Sequence, residues 1–250
     1  MELDLIFFAF AIPAVLFAGI SKGGFGSGAA FASTPFLAII LEPAQAVGLM
    51  LPLLMVMDAT GLKPYWRKWD WRNAKVLILG AIPGTVVGAI LFSIANADTF
   101  RLMIGNVALG FVAYQLARKL GWLAVKPKPF RPWVGGFWGF MAAITSFISH
   151  AGGPLLAVHL LSQNIGKATY QATSVLVFWV ANWMKFIPYL MLGVITPQTA
   201  LAGVILAPVA IAGTYLGVYA HRLLPERIYF AMTYTMLIIT GIKLYYDGLT

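Results

Sequence analysis

Two short stretches concentrate the residue types that could hold an anion. Residues 21–28 read Ser-Lys-Gly-Gly-Phe-Gly-Ser-Gly, and residues 149–154 read Ser-His-Ala-Gly-Gly-Pro. Ser21 and Ser149 offer hydroxyl donors, Lys22 a cation, and His150 a donor that can also titrate. Gly23, Gly24, Gly26, Gly152 and Gly153 let backbone N–H groups approach a ligand with no side chain in the way. Phe25 lies within the first run. Each stretch precedes a short apolar segment, and a helix start presents free N–H groups and the positive end of its dipole. Glycines also serve close helix packing, so for any one of them both readings stand. Their pairing at matching positions favours a site.

Other polar residues sit inside apolar surroundings. Lys185 and Asn182 lie within the stretch 170–192, with Ser174 earlier in it. A lysine at membrane depth is costly and marks a pathway, unless it snorkels to the surface. Asp58 is the acid inside an apolar stretch; it could relay a proton or pair with a lysine. Asp58 and His150 are therefore the candidates for ion coupling. His159 and His221 read as structural or interfacial. With no cysteine and three scattered histidines, no metal site or cofactor is expected. Gly24-Phe25-Gly26-Ser27-Gly28 lacks the preceding strand and the spacing of a nucleotide loop.

These residues need an apolar scaffold, and the composition supplies one. Hydrophobic residues make up 60% of the chain and charged residues 10%, with mean hydropathy +0.85. Soluble domains carry about 25% charged residues, so membrane lipid is the expected surrounding. The start, Met1-Glu2-Leu3-Asp4, lacks the basic region of a signal peptide. Apolar helical stretches fall near 3–21, 29–41, 45–62, 75–96, 100–117, 133–149, 153–163, 170–192, 197–220 and 228–246. Most approach the roughly 20 residues that a bilayer requires. The segments 29–41 and 153–163 are too short and are expected to be half-helices or re-entrant.

The net charge of +9 would suggest nucleic acid in a soluble protein, but its placement indicates topology instead. Basic clusters at Lys63, Arg67, Lys68, Arg72 and Lys75, at Arg118, Lys119, Lys126, Lys128 and Arg131, at Lys167, and at Arg222 and Arg227 fall on one side when the spans are counted. That side must be cytoplasmic, which places both termini outside, with Glu2, Glu42, Asp98 and Asp247. Trp66, Trp69 and Trp71 in the first basic loop suit interfacial anchoring, and no nucleic-acid partner is expected.

The chain also echoes itself. Ile20-Ser21-Lys22 returns as Ile148-Ser149-His150, Thr34-Pro35-Phe36-Leu37-Ala38 as Gly153-Pro154-Leu155-Leu156-Ala157, Gln45-Ala46 as Gln171-Ala172, and Pro83/Gly88 as Pro208/Gly213. The shared order implies two halves, about 1–120 and 130–250, of five segments each within one transmembrane domain. Five is odd, so the second half enters from the opposite face, as in inverted-repeat transporters.

At residues 19–37 and 147–161 the sequence resembles the sulfite exporter TauE/SafE family, also called the TSUP permeases. The resemblance extends to Ala46-Val47-Gly48, Ala172-Thr173-Ser174, Asp70-Trp71-Arg72 and Ile82-Pro83-Gly84. It implies transport of a small sulfur-containing anion, sulfite or an organosulfonate such as sulfoacetate. Two departures are His150-Ala151, where more glycine is common, and the missing Thr-Ser pair after Ala46.

The expected protein is an all-α, multi-pass secondary carrier of a cell membrane, of the bacterial inner-membrane kind, and not an enzyme. Its anion would lie among Ser21, Lys22, Gly23, Gly24, Phe25, Gly26, Ser149, His150, Gly152, Gly153, Ser174, Asn182 and Lys185. A passive anion channel is the stronger rival. An intramembrane hydrolase using Ser27 or Ser149 is the weaker one, because a repeated site suits a nucleophile poorly.

Overall fold

The computed structural model of the protein describes residues 2–25, 30–123, 129–220 and 226–250. Gly26 and Ser27 of the first glycine-rich run, Lys126, Lys128, His221 and Arg222 lie outside the described residues. Among those described there are ten α-helices and no strand. In order they are α1 (Leu5–Ile20), α2 (Ser33–Leu37), α3 (Pro43–Leu62), α4 (Trp71–Ile94), α5 (Ala97–Lys119), α6 (Pro132–Ser149), α7 (Gly152–Ser162), α8 (Lys167–Met191), α9 (Pro197–Ala220) and α10 (Glu226–Asp247). Six are long and apolar enough to cross a membrane: α1 with its extension to Gly24, then α3, α4, α5, α8 and α9.

Local chemistry sets the helix starts. Asp4 caps α1 by accepting from the Phe7 N–H at 2.7 Å, Asp70 caps α4 through Asn73, and Asn96 caps α5 through Thr99. Pro43 and Pro132 open α3 and α6, where the missing N–H costs nothing. The segment expected at 29–41 is helical only over 30–37, as a 3-10 turn (Ala30–Ala32) followed by α2. Its partner matches expectation closely: α7 has 11 residues, about 16 Å of helix. Neither can cross a bilayer alone.

Helices α3 and α8 pack together at the centre. Outside them α1 crosses α9, α6 crosses α4, and α5 pairs with α10. The crossings are close because glycines meet backbone. A Cβ on Gly19 would lie 2.9 Å from the Gly213 carbonyl carbon, and one on Gly88 2.6 Å from the Phe147 Cβ. Large apolar side chains point outward instead, including Ile82, Val86 and Ile90 on α4 and Val204 on α9. Such an apolar exterior suits lipid rather than water.

The two ends of the bundle differ in chemistry. At one, Arg101 bonds Asp98 at 2.7 Å and Glu42 at 3.1 Å, so the start of α5 meets the α2–α3 connection. At the other, the Arg72 guanidinium lies 3.9 Å from the Phe130 ring centre, and the Asp70 N–H donates to Thr173 Oγ1. Trp66, Trp71, Trp122 and Trp133 are exposed among these basic loops, the arrangement of an interfacial aromatic belt.

Candidate functional site

The site is built where two helices are interrupted beside the central pair. Helix α1 does not stop cleanly at Ile20: Ser21–Phe25 continues as a widened, π-type turn, a feature frequent at functional positions. The loosened carbonyls find donors elsewhere. Gln171 Nε2 donates to Lys22 O at 2.6 Å, and the Tyr65 hydroxyl to Gly23 O at 3.0 Å. The second interruption is the turn between α6 and α7. His150 ends α6 with φ 57°, in the left-handed region, and this kink directs its ring between α3 and α8. Such backbone costs a non-glycine residue roughly 1–2 kcal/mol.

Helix α8 supplies the facing wall. Gln171, Ser174, Phe178, Asn182, Lys185 and Tyr189 recur at three- and four-residue steps, and all are buried. Trp183, Ile187 and Met191 are exposed on the other side. The polar stripe faces inward and the apolar one faces lipid.

The charged groups meet here. Lys22 Nζ lies 2.5 Å from Asp58 Oδ1 and 3.4 Å from Leu54 O. The other carboxylate oxygen of Asp58 accepts from Asn182 Nδ2 at 2.7 Å, so Asp58 is paired and hydrogen-bonded at both oxygens. Lys185 has different company. Its Nζ donates to Ser146 O at 3.1 Å and Ser146 Oγ at 3.0 Å, and lies 2.9 Å from His150 Nδ1. These partners are all neutral, and among the described residues Lys185 makes no ion pair, although only 1% of it is exposed. The bland alternative for this lysine, snorkelling to the surface, is not what the structure has. His150 Nε2 lies 3.0 Å from Val47 O on α3.

Lys22, Phe31, Ser146, His150, Phe178 and Asn182 enclose a cavity of about 10 Å³, room for about one water. The site is closed in this conformation. A group larger than one water fits there only if the surrounding helices move.

The expected site residues divide into those that converge here and those that serve packing. Lys22, Asp58, His150, Asn182 and Lys185 converge. Ser21 and Gly153 are buried at the two interruptions, and Phe25 ends the widened turn. Gly23 and Gly24 face α9, where a Cβ would collide with the backbone of Thr214 and Gly217. Gly152 lies against Ala142 O and Phe178. Ser149 Oγ turns back to Thr145 O of its own helix at 3.4 Å, not to a histidine. Ser174 is buried on the α8 stripe. His159 bonds Asn73 Oδ1 at 2.9 Å, away from the cluster and in the structural role expected of it.

Three contributors were not among the expected site residues. Ser146 holds Lys185, Phe178 lies 5.8 Å from Lys22 Nζ through its ring face, and Gln171 anchors Lys22 O. Ser146 lies one helical turn before His150, and Gln171 belongs to an internal echo, so both had a signal in spacing. Among the described residues no group of three or more His, Asp or Glu could hold a metal ion.

A family model described as Sulfite exporter TauE/SafE matches residues 11–244. No curated protein and no solved structure matches the chain.

Proposed function

The chain belongs to the sulfite exporter TauE/SafE family, a family of membrane transporters, and from that premise we propose that it is a secondary carrier for a small sulfur-containing anion. Sulfite and organosulfonates such as sulfoacetate are the substrates in view. The observation that carries this is Lys185, a buried lysine held only by neutral groups. A buried charge without a counter-ion is costly, and Lys22 already has its own in Asp58. Protonated, Lys185 gives the cluster one positive charge in reserve, which an anion would neutralise. The hydroxyl of Ser146 and the amide of Asn182 line the same small cavity and can supply donors for oxyanion oxygens.

Closure of the site supports alternating access rather than a passive pore, because a cavity of about 10 Å³ leaves no continuous path for an ion. The inverted repeat is supported by paired packing. Counting from the echoes Ile20/Ile148 and Pro83/Pro208, Gly19 corresponds to Phe147 and Gly88 to Gly213. Gly19 packs on Gly213 and Gly88 on Phe147, which is one crossing made twice. Lys22 and His150 also correspond, and each meets an ionisable residue on the third helix of its own half, Asp58 or Lys185. The basic, tryptophan-rich end would face the cytoplasm of a cell with both termini outside. Asp58 and His150 remain the candidates for ion coupling.

The test is a thermal-shift screen of purified protein against sulfite, sulfoacetate, taurine, thiosulfate and carboxylate analogues, followed by counterflow in proteoliposomes. Stabilisation by sulfur oxyanions and saturable exchange are expected. Flux that never saturates would overturn the carrier in favour of a channel, and stabilisation only by carboxylates would overturn the substrate class.

A further inference from the structure

The charge count at the site sets a condition on what can bind. Lys22 and Asp58 form a neutral pair, and Lys185, when protonated, adds one positive charge with no acidic partner among the described residues. A monoanion placed beside Lys185 leaves the cluster neutral. A dianion leaves one negative charge uncompensated in a region nearly without water, which is strongly unfavourable.

His150 is placed to correct that balance. Its Nε2 lies 3.0 Å from the Val47 carbonyl oxygen, which only accepts, so Nε2 carries the proton. Its Nδ1 lies 2.9 Å from the Lys185 ammonium, which only donates, so Nδ1 is bare. The imidazole is neutral in this arrangement. An anion that draws the Lys185 ammonium toward itself takes it from Nδ1, exposing a lone pair beside a new negative charge, and that favours protonation.

The other groups facing this ring from the elements packed on it do not compete for the role. Tyr189 on α8 lies 6.1 Å away between ring centres, with its hydroxyl donating to Phe147 O. Ser146 holds Lys185 from α6. Lys22 approaches from the widened end of α1. Asp58, the acid on α3, has both oxygens occupied by Lys22 and Asn182.

We infer that the site discriminates by charge, taking a monoanion alone and a dianion together with one proton bound at His150 Nδ1. The proton comes from bulk water and travels with the anion, so both complexes are neutral. This rests on the anion site proposed above and deepens it.

Isethionate and sulfoacetate test it, being sulfonates of similar length with one and two charges. Binding heats would be measured with purified protein in buffers of different ionisation enthalpy. Sulfoacetate is expected to take up about one proton per anion and isethionate about none, by linkage. Sulfoacetate affinity should then fall with rising pH while isethionate affinity stays level. His150→Asn is the variant of choice, since asparagine tolerates the left-handed backbone at this position. It should lose the proton uptake that accompanies sulfoacetate binding. Equal uptake with both anions, or uptake that survives in His150→Asn, would overturn the inference. Failure of both anions to bind the unmodified protein would overturn the anion site itself, and this inference with it.

Discussion

Lys22 of the widened α1 terminus and Asp58 of α3 form a buried ion pair, 2.5 Å between Nζ and Oδ1, and this pair joins an interrupted helix to the central one. Neither group meets water, so each depends on the other for its charge.

Removing one partner should therefore be costly. Asp58→Asn and Lys22→Met are each expected to destabilise the protein by about 3–5 kcal/mol, because the remaining charge is left buried and unpaired. The double variant should recover most of that loss, since two neutral groups have nothing to compensate. Melting of the four proteins in one detergent gives the coupling, and additive losses would mean that the two groups do not act as a pair.

Lys185 should behave in the opposite way. Its charge has no acidic partner, so Lys185→Met is expected to leave stability unchanged or raised. Anion affinity should fall by about tenfold or more, since a charge-assisted hydrogen bond contributes roughly 1.5–3 kcal/mol. Lys185→Arg should not restore binding, because the larger guanidinium would have to displace Ser146 and His150, which Lys185 already contacts at 2.9–3.1 Å. Titration of each variant with sulfite or sulfoacetate decides the matter, and wild-type affinity in Lys185→Met would remove the lysine from the site.

Gly24 is expected to matter for folding rather than for ligand approach. A side chain there would run into the Gly217 backbone of α9, and such overpacking costs about 1–3 kcal/mol. Gly24→Ala should lower the melting temperature, while the folded fraction binds anion with unchanged affinity. The opposite pattern, normal melting with lost affinity, would return this glycine to the ligand.

The two motif hydroxyls and Ser146 should separate. Ser146 Oγ accepts from Lys185, whereas Ser149 Oγ turns to its own helix. Ser146→Ala is expected to weaken anion binding by about tenfold and Ser149→Ala by less. Competition binding at one pH compares them directly.

Orientation can be read from the C-terminus. If the basic loops lie inside, a reporter active only in the cytoplasm should stay silent when fused after Thr250. Full activity there would overturn the orientation.

Much of this protein follows from its residue types alone. Hydropathy delimits the long helices because a bilayer admits only apolar segments whose backbone bonds are satisfied internally. The brevity of 153–163 is visible because the polar Gln163-Asn164 and the preceding glycines bound it on both sides. Lys22, Asp58, His150, Asn182 and Lys185 stand out because ionisable and amide groups are rare at such depth. Their pairing is another matter. Asp58 and Asn182 are separated by 124 positions and bonded at 2.7 Å. Nothing local says that Asp58 neutralises Lys22 while Lys185 receives only Ser146 and His150. That outcome depends on how α3 and α8 pack together, which no local pattern states. For the same reason Gly23 and Gly24 look like ligand-cradling glycines in sequence, while in space their missing Cβ atoms face the backbone of α9: a missing Cβ has one signature in sequence, and only the tertiary structure shows the neighbour across the gap.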